Sequence, residues 1–131
     1  MYNLGRYGSK YRKGAKFEWE LKRMLEKEGF AVIRSAGSHG VDLIAGKKGD
    51  IYAFECKSTS RESFYISKEN ILKLLLFSET FGAKPYIAVK IKGKILFIDP
   101  YLLKVEGKSY LVDYYKISPI ALSFNELIEK R

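Results

Sequence analysis

The 131 residues include only one cysteine, Cys56, so neither an intrachain disulfide nor a multi-cysteine zinc site can form. No apolar run reaches the roughly 20 residues that a bilayer crossing needs. The basic start, Met1 to Lys13, has no apolar stretch of the kind that a secretory signal carries. Acids are scarce, at 15 against 24 lysines and arginines, and His39 is the lone histidine. There is no internal repeat and no shift of composition that would mark a domain boundary. These absences exclude a disulfide scaffold, a zinc finger and a membrane span. They lead us to expect one soluble, cytoplasmic, DNA-associated domain over residues 1–131, with no membrane partner.

What is present is core material and positive charge. Residues are 47% hydrophobic and 15% aromatic, and a domain of this size buries roughly two thirds of its unfolded surface. A net charge of +9 raises the local concentration of polyanions and makes their binding fall with salt. Solubility is the other use for such a surplus.

Residues 1–13 hold Arg6, Lys10, Arg12 and Lys13 and no acid. They are expected to form a basic arm, flexible over 1–10, that touches phosphate; a frayed terminus is the alternative. The pattern turns helical from Gly14 to Glu28, with Phe17, Leu21, Met24 and Leu25 on one stripe and Gly29 as the stop. Strands are expected over Phe30–Arg34, Val41–Ala45 and Ile51–Lys57, the last two joined by the turn Gly46–Asp50. Ser67 caps a second helix, Lys68 to Thr80, closed by Phe81–Gly82. That helix is apolar around most of its circumference, which suits burial against a sheet on one side and a partner subunit on the other; wholly intramolecular burial is the alternative. Pro85–Ile91 and Ile95–Ile98 form a second hairpin, Ser109–Tyr114 a short edge strand, and Ser123–Lys130 a capped terminal helix. The order implies an α/β fold in which a central mixed β-sheet is flanked by helices.

Asp42 and the run Glu55-Cys56-Lys57 carry the chemistry. If the turn is centred between Lys48 and Gly49, Asp42 faces Glu55 across an antiparallel pair, with Cβ atoms roughly 5 Å apart. Facing carboxylates inside apolar strands are costly unless a positive charge lies between them, and magnesium prefers such hard oxygen ligands. Glu55 and Lys57 project from the same strand face, so the lysine can stabilise charge on a phosphate. Cys56 points the other way, which makes its thiol core packing and leaves its backbone carbonyl free for the metal. The bland alternative is a surface Glu55–Lys57 ion pair, with Asp42 capping a turn.

Several stretches together resemble a known family. They are Tyr11-Arg12-Lys13-Gly14-Ala15-Lys16-Phe17-Glu18, Gly29 to Ser38, Asp42-Leu43-Ile44-Ala45-Gly46, Glu55-Cys56-Lys57, Phe77-Ser78 and Phe81-Gly82. In order and spacing they are similar to the archaeal Holliday-junction resolvases of the Hjc type, within the PD-(D/E)xK nuclease superfamily. The resemblance runs from about Tyr11 to Ile98. It implies a restriction-endonuclease-like fold and a homodimer that binds branched double-stranded DNA, the four-way junction, and nicks it symmetrically with Mg2+, or Mn2+ as a substitute.

By position the resemblance makes Asp42 and Glu55 metal carboxylates, Glu18 the third acid, Lys57 the catalytic lysine and Ser38 a catalytic loop serine. Arg34, Lys68 and Lys90 fall where the family keeps basic residues near the DNA or the site; Lys10, Arg12, Lys13 and His39 join them as DNA contacts in our reading. His39 as a general base is the rival use of that residue. Two positions depart from the pattern: Trp19 stands where the family usually has arginine, and Val41 where the superfamily has proline. The expected function is a junction-resolving endonuclease. The alternatives are a nuclease for flaps or nicked duplex, and a non-catalytic DNA-binding scaffold.

Overall fold

In the computed structural model the backbone is described for residues 4–35, 40–104 and 106–129, and side chains within those ranges from Ala15 onward. Helix α1 (Leu4–Lys27) is followed by β1 (Ala31–Arg34), β2 (Leu43–Lys47), β3 (Asp50–Thr59) and β4 (Ser63–Ser67). Then come α2 (Lys68–Phe81), β5 (Lys84–Ile91), β6 (Lys94–Ile98), β7 (Ser109–Asp113), α3 (Tyr114–Ile117) and α4 (Phe124–Glu129).

Five strands form one mixed sheet in the order β1-β2-β3-β5-β6. Only β3 and β5 run parallel; the connection between them carries α2, as a parallel crossover requires. The hairpins β2–β3 and β5–β6 both turn on a Lys-Gly pair, Lys48-Gly49 and Lys92-Gly93, with all four residues at positive φ. Two positive-φ residues are what a tight hairpin loop needs to match strand twist. The expected register through Lys48-Gly49 holds from Lys47↔Asp50 to Leu43↔Phe54.

Apolar alternation divides the core between the two sheet faces. Phe17, Leu21 and Leu25 of α1 meet Tyr52, Phe54, Cys56, Phe97 and Leu127 on one face. Ile71 and Leu74 of α2 meet Ala53, Ile87, Val89, Ile66 and Val112 on the other. Strand β3 is thus covered on both sides and is buried continuously from Tyr52 to Cys56. Helix α1 stops where Gly29 takes φ 90°, donating to Glu26 while Phe30 donates to Leu25, the paired bonds of a glycine-terminated helix. At the other end of the chain Ser123 and Glu126 cap α4 reciprocally.

Three expectations need correction. Helix α1 begins at Leu4, so its backbone takes in most of the segment expected to be a flexible arm. Gly5, Gly8 and Gly14 each cost about 1 kcal/mol in a helix, but no proline interrupts the run, and extending a nucleated helix is cheap. Strand β4 was not foreseen. The expected strand at Ser109–Tyr114 forms over Ser109–Asp113, but β7 pairs with β4 in a separate two-stranded ribbon instead of edging the main sheet.

Gly40 fixes the chain just before the site. It is buried at φ 82°, and a Cβ there would lie 2.6 Å from Lys73 Cβ and 3.3 Å from the Leu74 nitrogen. Gly40→Ala should therefore lower stability by about 2 kcal/mol or more, read as a fall in the denaturation midpoint at unchanged m-value. A midpoint equal to wild type would show that α2 does not press on this turn.

Candidate active site

The chain enters β2 through a distortion. The Asp42 amide donates to the Phe54 carbonyl at 2.7 Å, while Leu43 is already the partner of Phe54. Two residues opposite one is the arrangement of a β-bulge. Asp42 therefore does not face Glu55 in the ladder as register alone implied. Its carboxylate instead turns along β3 and accepts from the Cys56 amide at 2.7 Å. The same residue's carbonyl accepts from Ser35 at 2.8 Å, closing the base of the loop between them. Ser38 and His39 belong to that loop and lie outside the described residues, as do the side chains of Lys10, Arg12 and Lys13.

Glu55 sits in the buried stretch of β3, 6% exposed. Burial, and next the Asp42 charge, push its carboxyl up to about 7, while Lys57 pulls it down. Lys57 Nζ lies 3.4 Å from Glu55 Oε1, so the two do share a face. Asp42 is also raised, by burial, against the lowering effect of the Cys56 amide and of Lys57 and Arg34. Cys56 packs into the α1-side core, and burial pushes its thiol well up. That leaves a packing residue, with no thiolate for chemistry.

Glu18 comes to this group from α1. Burial and then Asp42 raise its carboxyl, so it is close enough to feel the aspartate. Its Oε1, however, accepts from Arg34 Nε at 2.8 Å. Among the described residues no three acid, histidine or cysteine side chains are gathered as a metal cluster. The structure brings Asp42, Glu55 and Lys57 together, and holds Glu18 beside them on Arg34. The resemblance put Arg34 near the DNA or the site, but sequence reasoning did not find this ion pair, since sixteen positions separate the partners and no local pattern links them. Lys90 is likewise tied to α1, 2.7 Å from Glu20. Lys68 is exposed at the start of α2, on a groove with Leu72, Lys73, Leu76 and Lys108, away from the acids.

The donor set suits a hard divalent cation. Two desolvated carboxylates, with the Asp42 charge adding to the rise at Glu55, leave negative charge that one lysine offsets only in part.

The mixed five-stranded sheet flanked by helices is that of the restriction-endonuclease-like fold. A family model of the archaeal Holliday junction resolvases (Hjc) matches residues 9–131. The crossover junction endodeoxyribonuclease Hjc of Methanocaldococcus jannaschii is 62% identical over 119 residues, covering 91% of this chain and 89% of that protein. The corresponding protein of Archaeoglobus fulgidus is 34% identical over 125 residues, 90% of each chain. The structure of A. fulgidus Hjc, a Holliday junction resolvase, superposes with a TM-score of 0.81 at 31% identity, over 89% of this chain and 96% of that one. The chain belongs to the archaeal Holliday junction resolvase family.

The raised carboxyls set a pH dependence of stability. Glu55 moves from 4.5 to about 7 on folding, so the folded protein holds a proton that the unfolded chain releases. Its contribution is full below pH 4.5 and gone above about 7. In metal-free buffer stability should fall across that window by on the order of 3 kcal/mol from this group alone, with Asp42 and Glu18 acting in the same direction. Denaturant titrations at several pH values should show the slope in wild type and a flatter one in Glu55→Gln. An equal slope in both would place the titration elsewhere.

Proposed function

We propose that this protein is a divalent-cation-dependent endodeoxyribonuclease that resolves four-way DNA junctions by hydrolysing two opposed phosphodiesters. The observation that carries the chemistry is the buried Glu55 beside Asp42, with Lys57 3.4 Å away. A scaffold that only held DNA would have no use for two desolvated acids in its central strands. Membership of the resolvase family carries the substrate.

Asp42, Glu55 and the Cys56 carbonyl would hold magnesium or manganese, with Glu18 as the third acid. When bound, the cation makes water a stronger nucleophile and stabilises the departing oxygen. The chain's own groups do the rest. The Cys56 amide fixes the orientation of the Asp42 carboxylate. Lys57 offsets the charge that develops on the phosphate, in a site where such charge is poorly screened. Arg34 adds a second positive group beside Glu18. Lys68, Lys90 and the basic residues of the α1 start contact the duplex arms, and the +9 net charge speeds the encounter.

A pair of opposed cuts calls for two sites, and the outer face of α2 supports a homodimer. Its inner residues Ile71 and Leu74 are buried, while Leu72 and Leu76 are 53% and 68% exposed. Apolar residues exposed one turn apart on a helix suit a symmetric contact, in which one patch meets itself. Leu76→Glu should convert dimers to monomers in sedimentation at micromolar concentration and leave the monomer folded. A monomeric wild type, or a dimeric variant, would remove α2 from the interface.

Asp42→Asn, Glu55→Gln and Lys57→Ala should each lower cleavage of a synthetic four-way junction in magnesium by about a hundredfold or more. Junction affinity in calcium should stay near wild type. Each strand should be labelled in turn, with a flap and a linear duplex at the same salt as competitors. Wild-type cutting by any one variant would exclude that residue from the chemistry, and equal cutting of the duplex would overturn the junction reading.

A further inference from the structure

Arg34 ends β1 at the edge of the main sheet, where a long side chain has many rotamers to choose from. Two restraints select one. Its Nε donates to Glu18 Oε1 at 2.8 Å, and its guanidinium carbon lies 5.4 Å from the centre of the Trp19 ring. Glu18 and Trp19 are neighbours on α1, about 100° apart around the helix axis, so Arg34 fills the angle between them. Lys22, one turn further on, places its Nζ 5.5 Å from the same ring.

Trp19 contributes to neither core cluster, and it remains 45% exposed. A large aromatic outside the core, next to a site acid and stacked with the arginine that binds that acid, has a use other than packing. We propose that Trp19 is a positioning residue: its ring face holds the Arg34 guanidinium against Glu18 at the mouth of the active site. Using Nε for Glu18 and one flat face for the ring leaves the terminal guanidinium nitrogens, which make no hydrogen bond among the described residues, to meet a phosphate oxygen. A planar cation with two donors suits that task, whereas an ammonium group would not stack in the same way. The role rests on the nuclease reading above for its catalytic consequence, but the contact itself does not.

Trp19 is the sole tryptophan, so its emission reports the surroundings of this one ring, where Arg34 and Lys22 are the cations in contact. In the free protein, Arg34→Ala should expose the indole and shift its emission to the red; an unchanged spectrum would overturn the stack whatever the activity. In single-turnover cleavage of a four-way junction, Trp19→Ala should slow the reaction about two- to fivefold, with an unchanged melting temperature. Trp19→Phe, which keeps a ring face, should restore most of that rate. In an Arg34→Ala background, removing Trp19 should cost nothing further, because a residue that acts through another loses its effect when the other is gone. The same loss in both backgrounds, or no loss in either, overturns the positioning role. A wild-type protein that cut no junction would end the resolvase reading, while the emission result would still decide the contact.

Discussion

An ionisable carboxyl in the middle of the most buried strand is the constraint on which the rest of the site depends. Strand β3 must be apolar on both faces, because it sits at the centre of the sheet with helices packed on either side. Glu55 interrupts that strand at the point where a charge is most expensive, and its carboxyl rises to about 7 in response. The Asp42 charge adds to this cost, and three contacts limit it. Lys57 follows on the same face, the Cys56 amide takes up the Asp42 charge, and Arg34 takes up that of Glu18. The acids nevertheless stay raised, so the folded protein is electrostatically strained in its most buried strand. Burial in such a site makes each charge–charge interaction stronger than it would be in water.

Much of this was legible because it is local. The alternation in β2 and β3, the Lys48-Gly49 turn and the two-residue spacing of Glu55 and Lys57 follow from strand periodicity alone. Ser67 and Gly82 delimit α2 as a cap and a stop, and Gly29 ends α1 through bonds that need a positive φ. The family resemblance was borne out by the match of residues 9–131 to the archaeal resolvase family.

What escaped depended on contacts that sequence spacing does not encode. Extrapolating the hairpin register to Asp42 assumed a regular ladder, but the bulge at Phe54 turns the carboxylate from Glu55 towards the Cys56 amide. Strand β4 carries too short a pattern, Ser63–Ser67, to stand out, and it exists because β7 pairs with it from more than forty residues away. The Glu18–Arg34 ion pair joins a helix to an edge strand. Nothing in either segment announces the other, so Glu18 was identifiable only through the resemblance.

The pairing of Glu18 with Arg34 also bears on how acids and bases are divided between surface and interior. Twenty-four basic residues against fifteen acids draw DNA to the surface, yet the phosphate to be cut must approach carboxylates that repel it. Lys57 alone cannot reverse that repulsion, because it already faces Glu55. Arg34 is different: Glu18 occupies one of its donors, and the indole holds its plane without using any hydrogen-bonding capacity. A guanidinium held in this way keeps donors for an incoming anion. If Arg34 were free to collapse onto Asp42 as well, it would neutralise the acids that the proposed cation needs. Stacking on Trp19 keeps it at the rim, where it screens the entering phosphate and leaves the inner carboxylates their charge.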